Sequence, residues 1–157
     1  MAYYTCLLLD ADNTLLDFDA AERKALTDTL THYGLPCDAA ACDTYHQVNR
    51  KLWTGLAKGE IGRSKLFAVR FARFLQAMGL PDNGKSREIN DYYEEQLALH
   101  PDILPGALTA LDELAEVATL AIVSNGAYKV QQARIHDSGI EPYMDGVYIS
   151  EKVGAAK

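Results

Sequence analysis

Apolar and polar positions along this chain follow two regimes. Cys6-Leu7-Leu8-Leu9 is a short apolar run closed by Asp10-Ala-Asp12-Asn13-Thr14, and it reads as a buried strand that delivers two acids at its tip. From there to His100 the apolar residues recur only at helical spacing. Leu26, Leu30 and Tyr33 form one stripe, opened by a capping-box pairing of Asp19 with Glu22 and stopped by Gly34-Leu35-Pro36. A second helix is expected over about 38–56, carrying Tyr45, Val48, Leu52 and Trp53. A third puts Phe67, Phe71, Phe74, Leu75 and Met78 on one face and stops at Gly79-Leu80-Pro81, and a fourth covers about 86–99.

After Pro101 strands return. A helix over about 107–115, with Leu108, Leu111 and Leu114 inward, leads into Leu120-Ala121-Ile122-Val123, which reads as a parallel strand. A helix over about 127–138 ends at Gly139, and Gly146-Val147-Tyr148-Ile149 is a third strand. The order β, helical insert, α, β, α, β predicts an α/β fold with a doubly wound parallel sheet and a helical module inserted after the first strand.

Composition narrows the class. With 157 residues, 48% hydrophobic and 24% charged, the chain has the make-up of a globular domain with a real core. A formal net charge of −7 argues against nucleic acid as the main partner, because phosphate backbones require basic stripes. A small phosphorylated ligand stays open, since a bound metal reverses the local field. Cys6, Cys37 and Cys42 form no CxxC pair, and Cys6 within the apolar run is expected to act as a small hydrophobe. Those cysteines fit a reducing compartment, and the N-terminal run is too short for a signal peptide or membrane span. Cytoplasmic location and no membrane partner are therefore expected.

Chemistry is concentrated at the predicted strand ends. Asp10 and Asp12 pointed at one spot repel each other and call for a cation, with one suited to attack and the other to proton transfer. An acidic surface turn is the plain alternative. Ser124-Asn125-Gly126 follows the second strand where a helix begins, which suits an anion site or an ordinary helix cap. Beyond the third strand, Lys157 in Val153-Gly154-Ala155-Ala156-Lys157 can act as a point charge or simply be solvated. An EF-hand starting at Asp10 fails at Leu15 and Ala21, no phosphate-binding glycine motif of the GxxxxGK[ST] or GxGxxG type occurs, and the four histidines lack zinc spacing.

The ordered set Asp10-Ala-Asp12-Asn13-Thr14, Ser124-Asn125-Gly126 and Lys157 resembles the three leading motifs of the haloacid dehalogenase (HAD) superfamily. The family likeness is to members with a helical C1-type cap inserted between the first and second motifs. Within that superfamily the chain is most similar to bacterial house-cleaning pyrimidine 5′-nucleotidases, through 45–53, Arg70-Phe71, Leu104-Pro105-Gly106-Ala107, Gln131-Gln132-Ala133-Arg134 and Ile149-Ser150-Glu151. The resemblance implies a HAD-like Rossmannoid sheet with three of five family strands present, formed by 1–17 and 102–157, and a helical cap over 18–101. The family's fourth motif, an acidic pair after the lysine, lies beyond the last residue, so the chain is expected to be C-terminally incomplete.

By the same resemblance the protein is a Mg²⁺-dependent phosphatase, a 5′-nucleotidase acting through an aspartyl-phosphate intermediate. Asp10 is then the nucleophile, and Asp12 protonates the leaving oxygen and later helps activate water. Mg²⁺ sits between Asp10 and the Asp12 backbone carbonyl. Thr14, Ser124, Asn125, Gly126 and Lys157 hold the phosphoryl group. An acid at position 12 favours a phosphatase over a dehalogenase, because halide needs no proton to leave. The insert is expected to close over the site and select the leaving group, with Asn49, Trp53 and Arg70 as candidate substrate contacts. Trp53 as ordinary core, and Arg63, Arg70 and Arg73 as solvated surface charges, are the competing readings. A phosphatase for sugar phosphates or phosphoglycolate, and a catalytically silent fragment for want of the fourth motif, are the alternative functions; self-association through an exposed Thr5–Leu9 edge is also expected.

Overall fold

The computed structural model of the chain describes residues 4–155. Its elements run β1 (Cys6–Leu9), α1 (Phe18–His32), α2 (Ala39–Ala57), α3 (Arg63–Ala77), α4 (Ser86–Ala98), α5 (Ala107–Ala115), β2 (Thr119–Ser124), α6 (Tyr128–Asp137), a 3₁₀ turn (Glu141–Tyr143), β3 (Gly146–Ile149) and α7 (Ser150–Val153). The three strands form one parallel sheet in the order β1-β2-β3. Two compact units result, one from the residues up to Lys24 together with those from Leu97 onward, the other Ala25–Gln96. No described helix is long and apolar enough to cross a membrane.

In the first unit, Leu120 and Ile122 of β2 are fully buried and pack with Leu16, Leu111, Ile135 and Ile140. Full burial of one such side chain is worth about 1.5–3 kcal/mol, so the central strand anchors this unit. Strand β1 corrects the sequence expectation. Among the described residues it pairs with β2 alone, its exposure alternates, Leu8 is 69% exposed and Cys6 is exposed as well. A four-residue apolar run carries no information on whether both of its faces are covered. On α5, Ala107 and Leu111 are buried while Leu108 is 40% exposed, so the inward stripe is narrower than Leu108, Leu111 and Leu114.

The turn after β1 is fixed by its own backbone. The Ala11 carbonyl accepts from Leu15 and Leu16 N–H at 3.0 and 2.9 Å. Asn13 takes a left-handed conformation, φ 56°, which asparagine tolerates better than most residues. Its Oδ1 then accepts the Phe18 N–H at 3.0 Å, while Asp17 accepts the Ala20 N–H at 2.9 Å. Capping of α1 therefore falls to Asp17 and Asn13, and Asp19 lies inside the first turn instead of at the cap.

The second unit is an aromatic helical module. Tyr45 of α2, Phe71 and Phe74 of α3 and Tyr93 of α4 are fully buried, with the Tyr45, Phe71 and Tyr93 ring centroids 5.4–5.6 Å apart. Such pairs add about 0.5–1.5 kcal/mol each beyond area burial. Asp38 caps α2 by accepting the Ala41 N–H at 2.8 Å, the role in which a short acidic side chain is favoured.

Candidate active site

Parallel pairing brings the chemistry-bearing residues to one edge of the sheet. Leu9 pairs with Ile122 and Ser124 with Ile149, so Asp10 follows β1, Ser124 ends β2 and Ser150 follows β3 at the same, C-terminal end. Ligands of open parallel sheets bind there. The Asp10 Oδ1 accepts the Ala11 N–H at 2.9 Å, which fixes the carboxylate close to its own backbone.

Asp12 sits in a denser set of contacts. Its Oδ1 accepts from Arg134 Nη1 at 2.6 Å and its Oδ2 from Gln131 Nε2 at 2.9 Å. Arg134 has no exposed side-chain surface and Asp12 is 28% exposed. The guanidinium also donates from Nε to the His100 carbonyl at 3.1 Å and lies 5.6 Å from the Phe18 ring centroid. Burial pushes the Asp12 carboxyl above the ordinary range, the Arg134 charge and hydrogen bond oppose that, and the nearby Asp10 charge adds to the rise. An acid that resists ionisation in this way is suited to holding a proton for a leaving group.

Ser124 is 1% exposed and its Oγ accepts from Gln131 Nε2 at 2.8 Å and from Gly126 N–H at 3.2 Å. Helix α6 begins just past this motif, close to its expected start at about 127. It starts at Tyr128, whose N–H is taken by the Glu151 carboxylate, so the helix N-terminus already receives an acid from the residues after β3. Asn125 is half-buried in the intervening loop, and Thr14 is exposed in the Asp12–Leu16 turn. Lys157 lies outside the described residues.

Asn49, Trp53 and Arg70 belong to the second unit. Arg70 corrects the reading of a solvated charge: it is 3% exposed, donates from Nε and Nη2 to Asn90 Oδ1 at 2.9 and 2.6 Å, and pairs with Glu94 at 3.0 Å. Its guanidinium also lies 4.8 Å from the Tyr93 ring centroid. Asn49 is 8% exposed on the buried face of α2. Trp53 is half-buried, edge-on to Phe67 at 6.4 Å, with Arg63 5.8 Å from its ring centroid.

Residues 4–157 match the haloacid dehalogenase-like hydrolase family over nearly the whole chain. The chain belongs to that family. Among relatives of this haloacid dehalogenase-like hydrolase, the pyrimidine 5′-nucleotidase PynA of Streptococcus pneumoniae is 36% identical over 99% of the chain and 65% of its own length. The pyrimidine 5′-nucleotidase YjjG of Escherichia coli is 30% identical over 96% of the chain and 64% of its own length. The chain thus spans just under two thirds of these relatives. The magnesium-bound structure of YfnB from Bacillus subtilis superposes with a TM-score of 0.91 at 29% identity, covering 99% of the chain and 68% of that protein.

Sequence reasoning did not assign roles to Gln131, Arg134 and Asn13. The signal for the first two is present in α6, where Val130, Gln131, Arg134 and Ile135 share the buried face. Two polar residues on the apolar face of a hydrolase helix have to meet partners, since burying them unpaired is costly. Which partners they meet depends on the strand order, and no local pattern supplies that.

Proposed function

We propose that this family member is a phosphomonoesterase that hydrolyses pyrimidine nucleoside monophosphates through an aspartyl-phosphate on Asp10. The observation that carries the reading is the unequal treatment of two neighbouring carboxylates. Asp12 is half-buried, held on both oxygens by Arg134 and Gln131 and pushed above the ordinary carboxyl range by its burial, while Asp10 stands at the strand tip beside it. Unequal environments divide a nucleophile from an acid. The Asp10 carboxylate attacks phosphorus in line as Asp12 gives its proton to the departing ester oxygen. Water then cleaves the acyl phosphate, with Asp12 taking the proton back.

A hard cation fits this donor set. The Asp12 side chain is committed to Arg134 and Gln131, which leaves its carbonyl and the Asp10 carboxylate as oxygen donors, and the two acids repel each other in the absence of a counter-charge. No group of three His, Cys, Asp or Glu gathers among the described residues, so few protein ligands are available. Mg²⁺, which keeps several waters, suits such a site and when bound would neutralise charge on the phosphoryl oxygens. Ser124, with its hydroxyl beside the same tip, is assigned to a phosphoryl oxygen.

The pyrimidine nucleotide is supported by the relatives PynA and YjjG, both pyrimidine 5′-nucleotidases. Initial rates on dUMP, dTMP and UMP against phosphoglycolate, each with Mg²⁺ and with chelator, test the proposal. Preference for the nucleotides with loss of turnover in chelator is expected. Preference for phosphoglycolate would overturn the nucleotide reading, and undiminished turnover in chelator would overturn the metal.

A further inference from the structure

Gln131 stands where three functional groups meet. It is 1% exposed, and its Nε2 donates one hydrogen to Asp12 Oδ2 at 2.9 Å and the other to Ser124 Oγ at 2.8 Å. Its Oε1 accepts from Arg134 Nη1 at 3.2 Å. The amide has only one acceptable orientation, because turning it over would set its oxygen against the Asp12 carboxylate and its NH₂ against the guanidinium.

The consequence for Ser124 is specific. A hydroxyl has two acceptor lone pairs and one hydrogen. Gln131 Nε2 and the Gly126 N–H occupy both lone pairs, so the Ser124 hydrogen has to be donated elsewhere. A serine fixed as a donor is what a phosphoryl oxygen needs.

Gly126 supplies an independent observation. A Cβ at this position would lie 2.5 Å from Gln131 Cγ and 2.7 Å from its Cδ. Gly126 is not among the positive-φ glycines, so backbone freedom does not explain its lack of a side chain. Room for Gln131 does.

We propose that Gln131 is a positioning residue for phosphoryl transfer, holding the Asp12 carboxyl in place and turning the Ser124 hydroxyl outward as a donor, with Gly126 glycine to admit it. The proposal rests on the reading of Asp12 as the proton donor and of Ser124 as a phosphoryl contact. It adds the group that makes both competent at once.

The test uses two variants of the full chain. Gln131→Glu keeps the shape and removes the donating NH₂, and Gln131→Met keeps the volume with no hydrogen bond and no buried charge, so it serves if the first fails to fold. Each is expected to lower turnover of an alkyl phosphate about 10²-fold, the usual cost of slight misplacement. The loss should be smaller on p-nitrophenyl phosphate, whose leaving group leans less on Asp12. Equal losses on both esters, where Asp12→Asn separates them, would overturn the proposal. Equal losses in Asp12→Asn itself would overturn the reading of Asp12 as acid.

Two further measurements need no turnover. Binding of inorganic phosphate, read by calorimetry, should weaken severalfold in Gln131→Met, and unchanged affinity would overturn the role assigned to Ser124. Gly126→Ala should lower the unfolding midpoint in the parent chain and barely move it in Gln131→Ala. Equal drops in the two backgrounds would overturn the packing argument.

Discussion

Asp12 and Arg134 are joined at 2.6 Å, yet loss of one partner differs in consequence from loss of the other. Asp12→Ala strands a guanidinium with no exposed surface. Its Nη2 already has no hydrogen-bond partner among the described residues, and it retains only the His100 carbonyl and Gln131 Oε1. A guanidinium cannot shed its proton, so the charge stays, and breaking a buried pair in this way costs about 3–5 kcal/mol. Arg134→Met strands a carboxylate that is 28% exposed, keeps its bond from Gln131 and, unlike a guanidinium, can take up a proton, toward which its burial already pushes it. Leaving such an acceptor short of one partner costs about 1–3 kcal/mol. Urea titrations at neutral pH, followed by far-ultraviolet circular dichroism, read both. Asp12→Ala should be the more damaging, and the double variant should be more stable than Asp12→Ala alone, because the stranded cation is gone. Additive losses, or Arg134→Met as the worse variant, would refute the account of this pair.

Three other outcomes are expected. Asp10→Asn should leave the dichroism spectrum unchanged and abolish phosphatase turnover, and residual activity within about tenfold of the parent would exclude covalent catalysis through Asp10. Leu8→Lys, at the 69% exposed position on the outer strand β1, should move the apparent mass by light scattering toward the 17.3 kDa of one chain, since a lysine blunts edge pairing; a parent chain already monomeric would remove this basis for self-association. The hydrogen bond that His136 Nδ1 donates to Glu141 Oε2 at 2.6 Å raises His136 above its ordinary 6.5, so the stability from this pair is full below 6.5 and is lost as pH rises through the folded value. Nuclear magnetic resonance titration should show that value falling toward 6.5 in Glu141→Gln, and no change would refute the pairing.

The sequence alone determined the order of elements and the places where chemistry enters. Helical spacing marked α2 to α4, the apolar runs marked β1 to β3, and the acids and Ser124 fell at strand ends because strand-ending residues of a parallel sheet collect on one edge. Periodicity reports which residues share a face and says nothing of what that face meets. For that reason Leu8 and Cys6, apolar in an apolar run, turned out exposed, and Arg70, charged on an amphipathic helix, turned out buried against Asn90 and Glu94. The start of α6 was legible to within a residue, but not the acid that takes its first N–H, because Glu151 lies 23 residues away. Tertiary structure also decided the partners of Asp12. Arg134 and Gln131 lie 122 and 119 residues along the chain from it, and only the packing of α6 against the sheet brings them within hydrogen-bond distance.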